Sequence, residues 1–233
     1  MYGIIGAMDC EIAVLRDLIE DGEVITVLNR DFIKGHINNN EVVLVCSGVG
    51  KVNAAITTEI LITQFKATKV INLGVAGGVL PLKPLDLVIS DKLCYHDFDV
   101  RVFNYEMGFI PGYKKYFEAS KELIDMAIKI ADENNFNYHV GLIASGDQFM
   151  TDSKILKRVD ENVISAEMEG AAIAHVCDMH NTDFLVLRCI SDILDSKDQE
   201  ISFQLVEEEA AKIAGIFIKN ILKNNWHTYK ISV

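Results

Sequence analysis

The feature that most constrains this chain is a set of apolar runs too continuous to alternate, each breaking at a glycine or a polar group. "FLVLRCISD" (184–192) is the clearest, and "KVINLGVAGG" (69–78), "LDLVISDKLCYH" (85–96), "EVVLVCSG" (41–48) and "GIIGAM" (3–8) are built alike. Strands buried on both faces read this way, whereas a strand with one wet face alternates. Segments with helical spacing lie between several of them. This order predicts an α/β chain with a central mixed, twisted β-sheet flanked by helices on both sides.

The remaining elements fit that frame. A helix is expected from about residue 10 to 20, then strands in "GEVITVLN" and "DFIKGHI", with Asn38-Asn39-Asn40 as the turn before "EVVLVCSG". After "GVGK", Val52, Ala55, Ile56 and Ile60 recur at helical spacing. Residues 96–113 read as a loop, 119–134 as a helix, and "YHVGLIASGDQF" as a strand. "VISAEMEG" leads into the helix "AAIAHVCDMH". The segment from about 202 to 223 is amphipathic, with Val206, Ala210, Ile213, Ala214, Phe217 and Ile221 on one face. With three prolines and no low-complexity tract, residues 1–233 read as a single domain without linker or repeat.

Charge and cysteine usage narrow the function classes. A formal net charge of -12 disfavours nucleic-acid partners, whose binding runs on clustered Lys and Arg. The five cysteines (Cys10, Cys46, Cys94, Cys177, Cys189) lack the spacing of a disulfide framework or a zinc site, so reduced thiols are expected. Asp9 and Glu11 interrupt the first apolar run too early for a signal peptide. No apolar run approaches the roughly 20 residues of a membrane helix. A cytoplasmic protein without membrane contact is the expectation.

In sheets of this kind ligands bind beyond the carboxyl ends of the strands. That rule selects residues 8–11, 47–50, 74–78, 145–150, 167–169 and 191–192, which are rich in glycine, serine and carboxylates. "GVAGG" and "SGVGK" could bring backbone N–H groups close to a ligand. Neither matches the Walker pattern, "GIIGAM" lacks the dinucleotide fingerprint, and as isolated motifs these glycines read as sharp strand exits. Glu167, Glu169 and Asp192 each have a structural account as helix-capping or dipole-paired acids. Several acids converging at strand ends favour an acid/base site instead. His96, Asp97 and Asp99 in "YHDFD" read as a hydrogen-bonded turn in preference to a metal site. Phe149 is either core or a ring on which a planar base stacks.

The motifs "GIIGAMDCEI", "SGVGKVNAA", "NLGVAGG", "YHDFDV…FNYEMGFIPG", "IASGDQF", "AEMEGAAIAHVC" and "LRCISDILD" occur in this order. In this the chain resembles the bacterial-type 5′-methylthioadenosine/S-adenosylhomocysteine nucleosidases of the nucleoside phosphorylase superfamily, across essentially its whole length. The resemblance implies a hydrolase that cleaves the N-glycosidic bond of those nucleosides, and of 5′-deoxyadenosine too, without metal or cofactor. Glu11 would activate the attacking water, with Glu169 and Arg188 helping to hold it, and Asp192, positioned by Ser191, would protonate adenine N7. Glu169 would also bind the ribose hydroxyls beside Met168. Phe149 would stack on adenine, the Met150 backbone would read its edge, and Gly77 would belong to the same substrate-binding set. Met8, Val49 and Phe203 would line the 5′-substituent pocket. Val100, Phe103, Tyr105 and Pro111 would close it from a neighbouring subunit of a homodimer. Two departures stand out: Val75 replaces a serine found in many relatives, and Asp9-Cys10 replaces an acidic pair before Glu11.

Three other readings compete. A phosphorylase needs cations for a dianionic phosphate, and the first turn offers Glu11 instead. A binding protein that had lost activity should have lost Glu11 or Asp192, and both are present. A third reading keeps hydrolysis and changes the substrate, to 6-amino-6-deoxyfutalosine as in some relatives, because an apolar pocket discriminates weakly by size.

Overall fold

The apolar runs all become strands. The elements follow in the order β1 (Tyr2–Gly6), α1 (Asp9–Arg16), β2 (Glu20–Val27), β3 (Arg30–Ile37), β4 (Asn40–Cys46), α2 (Lys51–Thr63), β5 (Lys69–Gly78) and β6 (Leu87–Tyr95). A 3₁₀ turn (Arg101–Phe103) precedes β7 (Phe117–Glu118), α3 (Lys121–Glu133), β8 (Tyr138–Ser145) and α4 (Ser153–Val159). β9 (Val163–Glu167), α5 (Gly170–Met179), β10 (Asp183–Ile193) and α6 (Gln199–Ile221) are the last described elements. The computed structural model describes residues 1–197 and 199–223, with residues 199–205 and 207 described in backbone only.

Nine strands form one mixed sheet in the order β10-β6-β8-β9-β5-β1-β4-β3-β2, with short β7 added against β6. β5 also pairs with β10, so β5, β9, β8, β6 and β10 close on themselves while β1, β4, β3 and β2 extend as a wing. β5 is the seam. One edge runs parallel to β10 along its whole length. The other pairs with β1 through residues 69–72 and with β9 only at Gly77 and Gly78. Among the described residues, 73–76 have no ladder partner on that edge, so their backbone groups are free for other work.

Helices cover both faces, as continuous apolar strands require. On one side Ile12 and Leu15 of α1, Leu123 and Met126 of α3, and Ile213 and Phe217 of α6 pack on Ile4, Leu44, Leu73 and Leu187. On the other, Leu61 of α2 and Ile173 of α5 cover Ile5, Val45, Val70 and Val186. The six residues expected on one face of α6 are all buried.

Three local readings change. α1 ends at Arg16, because Glu20 enters β2 and pairs with His36 instead of extending the helix. α2 buries Ala54, Thr57, Thr58 and Leu61 with Ile60, and leaves Val52 and Ile56 exposed. Thr58 satisfies its hydroxyl on the Ala54 carbonyl at 2.8 Å, so a threonine face packs inward as well as an aliphatic one. α4, capped by Asp152 accepting from the Lys154 N–H, occupies a stretch with no expected element. No described helix is long and apolar enough to cross a membrane.

Candidate active site

Glu11 sits in the first turn of α1, just past the end of β1. Its Oε2 accepts from the Ala7 and Met8 N–H groups at 2.7 and 3.0 Å, which satisfies orphan donors at the helix start. Its Oε1 accepts the free Val75 N–H of the β5 seam at 3.2 Å. Glu11 therefore caps its own helix and also faces a cavity. Burial pushes its carboxyl above the usual range, against the pull of Arg188 and these three N–H groups.

Arg188, on β10, lies opposite Gly74 and is 1% exposed. Its Nη2 donates to Asn72 Oδ1 at 2.6 Å and pairs with Glu167, and it stands 3.6 Å from Glu169 Oε2. Asn72 in turn donates to the Ile5 carbonyl at 3.0 Å, tying β1 into the same network. A methyl group at Gly74 would come within 2.4 Å of Arg188 Nη1 and 2.5 Å of Glu11 Oε1, so only glycine lets the guanidinium and carboxylate approach here. Arg188 Nε and Nη1 are buried without a protein partner.

Glu167 ends β9 and accepts from the Ser145 hydroxyl, Arg188, and the Glu169 and Gly170 N–H groups at 3.0 and 2.7 Å. Burial opposes its ionisation, but Arg188 and the Ser145 hydroxyl prevail with these donors, and its carboxyl is held below the usual range. Glu169 has the opposite fate. Burial and the neighbouring Glu167 charge push it up to about 7, against Arg188 and the Gly50 N–H, with Glu11 adding to the rise.

The last acid comes from an irregularity in β10. The β5–β10 register pairs Ile190 with Ala76 but Asp192 with Gly77, leaving Ser191 as the bulged residue. Bulges re-aim side chains beside functional sites. Ser191 and Asp192 are both 1% exposed, and the Ser191 hydroxyl donates to Asp192 Oδ1 at 2.6 Å.

A cavity of about 240 Å³ joins these groups. Glu11, Glu167, Glu169 and Asp192 reach it, with Met8, Val49, Val75, Gly77, Phe149, Met150, Met168 and Ser191 around them. Val49 (47% exposed) and Phe149 (50% exposed) stand at its mouth. No lysine or arginine lines it among the described residues.

Of the expected residues, Glu11, Asp192, Met8, Val49, Gly77, Phe149, Met150, Met168, Glu169 and Ser191 thus share one cavity, with Arg188 directly behind. The side chain of Phe203 lies outside the described residues. Val100, Phe103, Tyr105 and Pro111 do not line the cavity of their own chain, and the last three are exposed. His96 is buried, Asp97 pairs with Lys51, and Asp99 pairs with Arg101. Among the described residues, no group of His, Cys, Asp and Glu is arranged to hold a metal. Sequence reading placed Glu167 and Ser145 at strand ends but gave neither a role, and did not single out Asn72. The signal was the paired acids of "AEMEG", whose first member takes the arginine.

A sequence model of the family described as Phosphorylase superfamily matches residues 1–223. A 5′-methylthioadenosine/S-adenosylhomocysteine nucleosidase of Bacillus cytotoxicus is 41% identical over 225 residues, covering 94% of this chain and 97% of the relative. The solved Neisseria meningitidis nucleosidase of the same name, in complex with methylthio-immucillin-A, superposes with a TM-score of 0.89 at 34% identity. That match covers 95% of this chain and 98% of the other. A futalosine hydrolase of Helicobacter pylori superposes with a TM-score of 0.88 at 35% identity, covering 94% and 96%.

Proposed function

The chain belongs to the phosphorylase superfamily and, within it, to the 5′-methylthioadenosine/S-adenosylhomocysteine nucleosidases; from that premise we propose that it hydrolyses the N-glycosidic bond of those two nucleosides, releasing adenine and the 5-substituted ribose. The observation that carries this reading is the arrangement of acids in one cavity that no described lysine or arginine lines. Glu11 and Glu169 stand near Arg188, and Asp192 stands on the bulged end of β10.

Cleavage leaves positive charge on the ribose and negative charge on the departing base. Asp192 donates a proton toward adenine N7, so the base leaves neutral, and the Ser191 hydroxyl fixes the orientation of its carboxyl. The carboxylates of Glu11 and Glu169 favour the cationic sugar. Glu11 takes the proton of the attacking water. A buried carboxyl raised above its ordinary range is a better base near neutrality, and its Oε2 is already anchored by two N–H groups. The replacement of serine by Val75 leaves this end supported, because the contact to Glu11 comes from the Val75 backbone. A phosphorylase reading is disfavoured by the same geometry: Arg188 is already paired with Glu167 and stands beside Glu169.

The finer assignments follow. Phe149 and Met150 hold adenine, Glu169 and Met168 the ribose, and Met8, Val49 and Phe203 the 5′-substituent. The loop bearing Val100, Phe103, Tyr105 and Pro111 serves a neighbouring subunit of a homodimer, whose contact the exposed Val52 and Ile56 of α2 would extend. The enzyme would act in the cytoplasm, in methionine salvage and S-adenosylmethionine recycling. A wider 5′ range, including 5′-deoxyadenosine and aminodeoxyfutalosine, is favoured by the half-exposed Val49 and by the likeness to the futalosine hydrolase.

The test is incubation with 5′-methylthioadenosine in phosphate-free buffer, following adenine by chromatography. Wild type releases adenine and methylthioribose, whereas Glu11→Gln and Asp192→Asn lose about 100-fold or more, the scale of a general acid or base. Product that forms only with added phosphate, as a sugar 1-phosphate, would make the chain a phosphorylase.

A further inference from the structure

At the mouth of the cavity a second polar cluster links three segments that the reaction does not otherwise join. Lys51 opens α2, Asp147 follows β8, and Asp97 lies just after β6. Lys51 Nζ donates to Asp97 Oδ2 at 2.6 Å and lies 3.6 Å from Asp147 Oδ2. The Asp147 N–H donates to the same Asp97 oxygen at 2.9 Å, and the Lys51 N–H donates to Asp147 Oδ1 at 2.8 Å. α2 has no acid of its own in its first turn, so Asp147 supplies the negative charge its N-terminus favours.

The residues next to this cluster are those that meet the substrate in the reading above. Val49 and Gly50 precede Lys51, and the Gly50 N–H donates to Glu169 Oε1 at 2.8 Å. Phe149 follows Asp147 by two positions. Beneath, the buried His96 imidazole lies against Gly146, where an added methyl would come within 2.4 Å of the ring.

We propose that Lys51, Asp97 and Asp147 are positioning residues, a latch that holds the Gly50 N–H against Glu169 and fixes the Val49 and Phe149 walls relative to each other. The pairs are partly exposed, and such pairs add little to global stability. Their effect is on geometry at the substrate.

The experiment compares wild type with Lys51→Met, Asp97→Asn, the double variant and Lys51→Arg. Without substrate, amide hydrogen exchange at Gly50, Lys51 and Asp147 accelerates at least about tenfold in Lys51→Met and Asp97→Asn, while Tm moves by no more than about 2 °C. With 5′-methylthioadenosine, KM rises about fivefold or more and kcat stays within about twofold. Lys51→Arg recovers most of the loss, and the double variant is no worse than the poorer single one, as for residues acting as one unit. Unchanged exchange, or kcat and Tm falling together with KM, overturns the proposal. The kinetic arm rests on the nucleosidase reading. Were wild type to release no adenine, that reading would fail and the exchange arm alone would decide the latch.

Discussion

The back and the mouth of the cavity are held by different physics. At the back, Arg188, Glu167, Asn72 and Glu11 are buried, and each makes at least one bond to another strand or to backbone N–H groups. At the mouth, Val49 and Phe149 are half-exposed and their turns are tied by partly exposed charges. Buried polar networks are costly when incomplete and rigid when satisfied, whereas exposed pairs can be lost at little cost. The comparison teaches that the acids at the back are fixed by the fold, while the walls of the mouth are fixed locally and can adjust.

Removing Arg188 should give the largest effect. Arg188→Met leaves Glu167 buried without its counter-ion, and breaking a buried pair from one side costs about 3–5 kcal/mol. Denaturant unfolding should show that loss together with lost turnover. A loss below about 1 kcal/mol would mean that the back of the cavity is no more firmly held than the mouth.

Gly74→Ala comes next. Its methyl collides with Arg188 Nη1 and Glu11 Oε1; retreat would pull the guanidinium's Nη2 from Asn72 and Glu167, and Oε1 from the Val75 N–H. Overpacking of this kind costs about 1–3 kcal/mol, and activity should fall much further than stability. Wild-type kinetics in this variant would show that the two groups need not stand so close.

A titration separates the two acids of "AEMEG". Glu169 is raised from 4.5 to about 7, so the native state binds more protons than the unfolded chain across that interval. Its contribution to stability is therefore present at low pH and is lost as pH rises through about 7. Glu11, also raised, acts in the same direction, and Glu167, held low, acts in the opposite one below the ordinary carboxylate range. Glu169→Gln should flatten the fall in Tm between pH 4.5 and 7. A slope unchanged from wild type would assign that dependence to another group.

How far the site could be read beforehand follows the same division. The acids at the strand ends were visible because the rule for α/β sheets depends on strand order, and apolar runs reveal strands. The role of Glu167 was hidden, since which of two acids takes Arg188 depends on a register between β9, β5 and β10 that separation in sequence does not encode. The closure of the sheet through β5 was hidden for the same reason. Helical periodicity found α2 but not its buried face, because Thr57 and Thr58 pack inward while Val52 points out. For Glu11 the capping account does not exclude the proposed catalytic one: the N–H groups that it caps also orient its carboxyl.

The smallest effect on an isolated chain belongs to Phe103. It is 70% exposed on the 3₁₀ turn after β6, and truncating an exposed side chain usually changes stability by under about 0.5 kcal/mol. If that ring closes a neighbour's pocket, its burial exists only in the assembly, and its effect must depend on concentration. Wild-type Tm should then rise with protein concentration, and Phe103→Ser should remove much of that rise while matching wild type when dilute. KM should increase in the same variant, since the missing ring belongs to the mouth. A concentration-independent Tm with an unaltered KM would leave the loop bearing Val100, Phe103, Tyr105 and Pro111 without a role in the site. The mouth would then be complete within one chain.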